Sequence, residues 1–200
     1  IINMYLRKNE LVGINRKVIE TGILFIHIPK TGGVSISKQL YDGLIGHKGY
    51  HYYKKRFSRK QYIDLYKFSI VRHPYSRFIS SYSFLQNGGL TTYDREIAKF
   101  INNYENIDSL LKQNYKTLKR ILHFKSQHKF IFRNSNKQIN DIFKIEELND
   151  FKSFFSLKLN IDTSFKLNST PNKNELKLSQ ESKDILRDIY NEDFKLLCYE

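Results

Sequence analysis

Apolar positions along the chain fall into two kinds of stretch: short continuous runs, and longer segments with a helical repeat. Ile23 to Ile28 is a six-residue apolar run interrupted by one histidine, His27. It meets Pro29 and the Gly32-Gly33 pair, then restarts with Ile36 and Leu40 four residues apart. This pattern predicts a buried strand, a tight loop and a helix over Ser35–Leu44. Residues 1–21 read as a lead-in, a short helix or an extended arm. A second apolar run, Phe68 to Val71, ends at Arg72-His73-Pro74. Pro74 suits the first turn of a helix, where its missing N–H costs nothing. Phe78, Tyr82 and Leu85 then recur at helical spacing until Gly88-Gly89 stops them.

Between these junctions, residues 45–66 predict a loop and then one helix ending near Tyr66. Asn87–Tyr93 reads as a loop, and two helices follow between Asp94 and Leu122. Phe130–Phe132 and Ile142–Ile145 are strand candidates, and Leu148–Phe155 reads as a helix. Leu167–Asn172 is a loop. Ser179 is a good N-cap for a final helix, with Ile185, Leu186, Ile189, Tyr190 and Phe194 as its buried stripe. Strands alternating with helices imply an α/β fold, a three-layer sandwich around a mainly parallel sheet. Without an internal repeat or a dividing linker, residues 1–200 are expected to form one domain.

Composition changes this picture little, but charge adds to it. The chain is 40% hydrophobic and 14% aromatic, as in globular proteins. Its net charge of +14 admits nucleic acid, an anionic membrane surface, an acidic polysaccharide or a phosphorylated cofactor as partner. Six scattered histidines and one cysteine, Cys198, offer no metal-ligand spacing, and the lone cysteine suits a reducing compartment. No stretch approaches the ~20 apolar residues of a membrane helix, and no signal-peptide core opens the sequence. The expected location is the cytoplasm. The alternative is the Golgi lumen, if this is a trimmed catalytic domain that begins at Ile1 rather than methionine.

The candidate chemistry sits at the two strand-to-helix junctions. A glycine loop opening a helix presents backbone N–H groups and partial positive charge, which suits an anion. Lys30 adds an ammonium there, and Thr31 and Ser35 add hydroxyls. At the second junction, Arg72 brings a planar fork for phosphate, with Ser80 two helical turns on. Singly, Arg72 reads as a surface ion pair and Ser80 as an ordinary helix serine. In an open α/β sheet, however, two such junctions can serve one ligand. The first junction lacks the nucleoside-triphosphatase order, in which lysine follows the glycines; here Lys30 precedes them.

Together, His27-Ile-Pro-Lys-Thr-Gly-Gly-Val-Ser35 and Phe68-Ser-Ile-Val-Arg-His-Pro-Tyr-Ser-Arg-Phe-Ile-Ser-Ser-Tyr82 resemble the two signature segments of the sulfotransferase superfamily. The likeness is greatest to carbohydrate sulfotransferases of heparan, chondroitin and bacterial type, which share a Pro-Lys-Thr-Gly-Gly-Thr-Ser loop. It extends over about residues 23–199 through Gly46-His47, Gln127, Ile145-Glu-Glu-Leu148, Leu167-Asn-Ser169 and Tyr190-x-x-Asp193 to Tyr199.

The resemblance implies a P-loop-like sulfotransferase fold and transfer of a sulfuryl group from 3′-phosphoadenosine 5′-phosphosulfate (PAPS) to a hydroxyl. It assigns the 5′-phosphosulfate to Pro29, Lys30, Thr31, Gly32, Gly33, Val34 and Ser35, and the 3′-phosphate to Arg72 and Ser80. Val34 departs from the usual threonine and removes one hydroxyl donor. The scheme calls for no metal. Lys30 would neutralise the leaving oxygen. His47 and His51 are the candidate bases, and His47 fits the family's Gly-His position better. His27 reads as a packed or loop-ordering residue, and His73 as support for the phosphate site. Glu146 or Glu147 would orient the base, bind substrate or simply supply charge at a helix N-terminus.

The Tyr50–Arg56 patch suits an anionic polysaccharide as well as single-stranded bases, and beside the cradle a carbohydrate acceptor is the expected partner, not nucleic acid. Alternatives are a small-molecule or lipid-linked alcohol as acceptor, a kinase or nucleotide hydrolase, and a non-catalytic basic module that binds polysaccharide or nucleic acid.

Overall fold

A computed structural model of the chain describes residues 15–159 and 177–200. In chain order these form α1 (15–21), β1 (Ile23–Ile26), α2 (Gly33–Tyr41), α3 (Tyr50–Arg56), α4 (Arg59–Asp64), β2 (Tyr66–Val71), α5 (Pro74–Gln86), α6 (Thr92–Ile101) and α7 (Ile107–Leu118). A 3-10 turn at Leu122–Phe124 follows, then α8 (His128–Ile131), β3 (Phe132–Arg133), β4 (Asn136–Lys137), β5 (Asp141–Lys144), α9 (Leu148–Leu159), α10 (Gln180–Ile189) and α11 (Asn191–Leu196). Most of the expected lead-in and the Leu167–Asn172 loop lie outside the described residues. The chain divides into two compact units, Ile1–Val71 with Lys129–Ser169 and Arg72–His128 with Thr170–Glu200.

The first unit holds a parallel sheet of order β1-β2-β5, with Phe25 opposite Phe68 and Phe68 opposite Asp141. Helices flank it, as an α/β fold requires. Its core is aromatic: the Phe68 ring lies 5.0 Å from Phe25 and 5.2 Å from Phe155, and Phe155 lies 4.4 Å from Phe151. Rings of this size bury large apolar areas at centroid distances typical of favourable aromatic pairs. The outer edge of β1 is covered by Tyr41 of α2. Its hydroxyl donates to the Ile23 carbonyl at 3.0 Å and accepts from the Phe25 N–H at 2.9 Å. Burial drives the Tyr41 pKa upward, so the phenol stays protonated and able to donate.

Three expectations shift here. Helix α2 starts at Gly33 rather than Ser35, because Gly32 adopts the left-handed conformation (φ 78°) that caps it. It ends at Tyr41 instead of Leu44, because Asp42 is also left-handed (φ 53°). The single helix expected before Tyr66 is two: extended Phe57 breaks it, and Ser58 with Gln61 forms a capping box that starts α4. Tyr66 opens β2, and the next residue, buried Lys67, reaches back to the α4 C-terminus. Its ammonium donates to the Tyr62 carbonyl at 3.0 Å and to the Leu65 carbonyl. Finally, the Phe130–Phe132 run is a helical turn followed by a two-residue strand. That strand pairs with β4 across Asn134 and Ser135, both at positive φ. A three-residue apolar run has no period of its own, so a turn signal four residues on decides its state.

The second unit is helical. Phe78, Tyr82 and Leu85 of α5 bury against Ile101, Leu110, Leu111, Phe124, Leu186, Tyr190 and Phe194. Helices α6, α7 and α10 begin at side-chain caps, with Thr91 accepting from the Asp94 N–H, Asn106 from Ser109 and Ser179 from Ser182. The expected terminal stripe is present, but Tyr190 divides the helix into α10 and α11. No helix among the described residues is long and apolar enough to cross a membrane.

Candidate active site

In the first unit the chain leaves β1 at Ile26, and His27, Ile28 and Pro29 stay buried without joining the ladder. Lys30 turns the loop in the left-handed conformation (φ 68°), and Gly32 repeats it (φ 78°). Thr31 is fully buried, and its hydroxyl donates to the Ile28 carbonyl at 3.0 Å. Its side chain therefore braces the loop, and its part in an anion site reduces to its backbone. No N-cap side chain accepts from α2, and the first turn contains no acid. Val34 is exposed there, and Ser35 is half-buried. A bent glycine loop, a helix start without a side-chain cap and an adjacent half-buried lysine fit an anionic group such as a phosphosulfate.

Behind this loop lies a contact that spacing does not reveal. A Cβ on Gly33 would stand 2.3 Å from His27 Cδ2, 2.6 Å from His27 Nε2 and 2.7 Å from Phe25 Cζ. The start of α2 thus rests directly on the His27 ring. That ring is 4% exposed, stacks on Phe25 at 5.4 Å and leaves its buried Nδ1 without a hydrogen-bond partner. Burial, and secondarily the charge of His47, hold its pKa well below the ordinary histidine value, so it is neutral at pH 7.

His47 is half-buried, with its ring centroid 4.4 Å from that of His27. Its Nδ1 lies 3.1 Å from the His27 carbonyl oxygen. A carbonyl only accepts, so Nδ1 carries the proton and Nε2 is the basic nitrogen. His51 differs: it is exposed in the first turn of α3, edge-on to Tyr50 at 5.6 Å. The structure therefore gathers Pro29–Ser35, His27 and His47, while His51 stands on the surface.

Arg72 and Ser80 belong to the second unit. Arg72 is half-buried in the link between β2 and α5, and Ser80 is half-buried within α5. His73 caps α5, accepting from the Tyr75 N–H at 3.3 Å, and its Nε2 donates to the Glu200 carbonyl at 3.3 Å. Glu146 and Glu147 are exposed ahead of α9, and Glu147 lies 3.6 Å from Lys144.

A sequence model of the sulfotransferase family matches residues 19–200. The chain belongs to the sulfotransferase family. Members of this family use PAPS as the sulfate donor. No curated protein and no solved structure matches the chain.

Two parts of this sulfotransferase escape a reading by spacing. Arg77 is 1% exposed in the first turn of α5 and donates to the His123 carbonyl at 3.0 Å and the Lys125 carbonyl at 2.7 Å. Gln127 is fully buried and pairs with the backbone of Arg72. The resemblance marked Gln127 as a family position, but no local signal gives its partner. Arg77 carried only a weak hint, a basic residue one position before the buried stripe residue Phe78.

Proposed function

We propose that this sulfotransferase moves the sulfuryl group of PAPS onto a hydroxyl of a carbohydrate, with its two units working as one domain. One observation carries the reading: His47, its tautomer set by the His27 carbonyl at 3.1 Å, adjoins the His27 ring against which Gly33 of the loop packs. PAPS, when bound, supplies a sulfuryl group activated on the bridge oxygen of a 5′-phosphate. Backbone N–H groups of Thr31 to Ser35 hold the 5′ end, and Lys30 places positive charge at the bridge oxygen where negative charge develops. His47 takes the acceptor proton at Nε2, and Arg72 with Ser80 holds the 3′-phosphate.

A carbohydrate acceptor is supported by the surface of α3 and α4. Residues 43–63 contain six Lys and Arg and neither Asp nor Glu. Lys54, Arg59, Tyr62 and Ile63 line an open cavity there, which pairs cationic heads with an aromatic ring for a sugar face. The single cysteine suits the cytoplasm.

The test is transfer of radiolabelled sulfate from PAPS across an acceptor array, with the variant Lys30→Ala alongside. Transfer to saccharides, reduced by about 100-fold or more in the folded variant, is the expected result. Full turnover by Lys30→Ala overturns the mechanism, and transfer only to small or lipid-linked alcohols overturns the acceptor class.

A further inference from the structure

Arg72 leaves the sheet at a point where no strand neighbour satisfies its backbone. Gln127 takes that place. Its Oε1 accepts from the Arg72 N–H at 3.0 Å, and its Nε2 donates to the Arg72 carbonyl at 2.7 Å. A side-chain amide bonded at both groups of one residue fixes that residue's peptide planes much as a ladder partner would.

Gln127 is itself held firmly. Its N–H donates to Asp193 Oδ2 at 2.7 Å, and the His128 N–H and Nδ1 reach Asp193 Oδ1 at 2.8 and 2.7 Å. Asp193, in α11, is fully buried. Upstream, Ser81 and Arg77 both bind the His123 carbonyl, Arg77 also binds Lys125, and the Tyr190 hydroxyl donates to the Phe124 carbonyl at 2.7 Å. Residues 123–128 are thus pinned from both sides by buried groups, and Gln127 is the side chain in this stretch that clasps Arg72.

From this geometry we infer that Gln127, oriented by Asp193, is the positioning residue that aims Arg72 at the 3′-phosphate of the donor and so sets selectivity for a 3′-phosphorylated nucleotide. Gln127 acts through the backbone of Arg72 and touches no reacting atom. The inference rests on the assignment of Arg72 made above. It predicts that the terminal segment around α11 governs donor choice without meeting the nucleotide.

Calorimetric titration with adenosine 3′,5′-bisphosphate and adenosine 5′-monophosphate tests the inference separately from the Arg72 assignment. The wild-type protein should prefer the bisphosphate by about 10- to 100-fold, the effect of one charge-assisted phosphate contact. Gln127→Met keeps the side-chain volume and removes both bonds. It should shrink the preference to about 3-fold or less, leave monophosphate affinity unchanged and add nothing to Arg72→Ala in the double variant. A folded Gln127→Met protein with the full preference overturns the inference, as does an equal loss for both nucleotides. A wild-type protein without any preference overturns the Arg72 assignment itself. Hydrogen exchange in the wild-type protein gives a measurement independent of any variant: the bisphosphate, and not the monophosphate, should slow exchange of the Arg72 amide. Equal protection by both ligands counts against Gln127.

Discussion

Gly33→Ala sets helix propensity against packing. Propensity alone favours alanine by about 1 kcal/mol in a helix, and the φ of Gly33 is not positive, so its backbone admits a side chain. The surroundings do not. The new methyl would lie 2.3 Å from His27 Cδ2 and 2.7 Å from Phe25 Cζ, well inside van der Waals contact. The His27 ring has little room to retreat, being stacked on Phe25 at 5.4 Å and close to His47 at 4.4 Å. Contacts this short belong in the upper part of the overpacking range, about 2–3 kcal/mol, so after the propensity gain the net loss should be about 1–2 kcal/mol. In urea this lowers the midpoint by about 0.5–1 M at an unchanged slope. Sulfate transfer should fall as well, because the displaced residue both supports Gly33 with its ring and orients His47 with its backbone carbonyl. A control isolates the cause: Gly46 has open space around it but φ +73°, so Gly46→Ala should lose about 1 kcal/mol through backbone strain, and Gly46→Asn should recover part of it. An unchanged or raised midpoint for Gly33→Ala would refute the argument that the helix start rests on His27.

Three further outcomes follow from the same contacts. His27 is held neutral in the folded protein, with a pKa below the ~6.5 of an unfolded chain, so the unfolded state binds more protons below that pH. Its stability contribution is present above pH 6.5 and drains as pH falls toward the lowered folded-state pKa, and urea melts of His27→Gln should lack this slope. His47→Asn should lower kcat by about 100-fold or more with the fold intact, whereas exposed His51→Asn should stay within about 3-fold, as steady-state kinetics will show. Arg77→Met, which removes charged donors from the His123 and Lys125 carbonyls, should cost about 2–3 kcal/mol by chemical denaturation.

Much of the first unit was legible locally. An apolar run, a proline and a glycine pair encode strand, loop and helix within some fifteen residues, because each rests on the backbone freedom of its own residues. Lys30 before Gly32-Gly33 was enough to separate this loop from a nucleoside-triphosphatase cradle. The Ser58–Gln61 capping box was also written in the sequence, but the dense Tyr and Lys pattern beside it concealed the break at Phe57.

What the tertiary structure alone decided is how the ends of these elements meet. His27 counts as one polar letter in an apolar run until the start of α2 is laid on its ring. His47 and His51 look alike in sequence until one finds a carbonyl from twenty residues earlier and the other finds solvent. Gln127 meets Arg72 across 55 positions and Asp193 across 66, and neither pairing has a period or a turn to announce it. Local structure follows from the conformational preferences of neighbouring residues. A buried hydrogen bond between distant ones follows from which faces the whole chain can bury together.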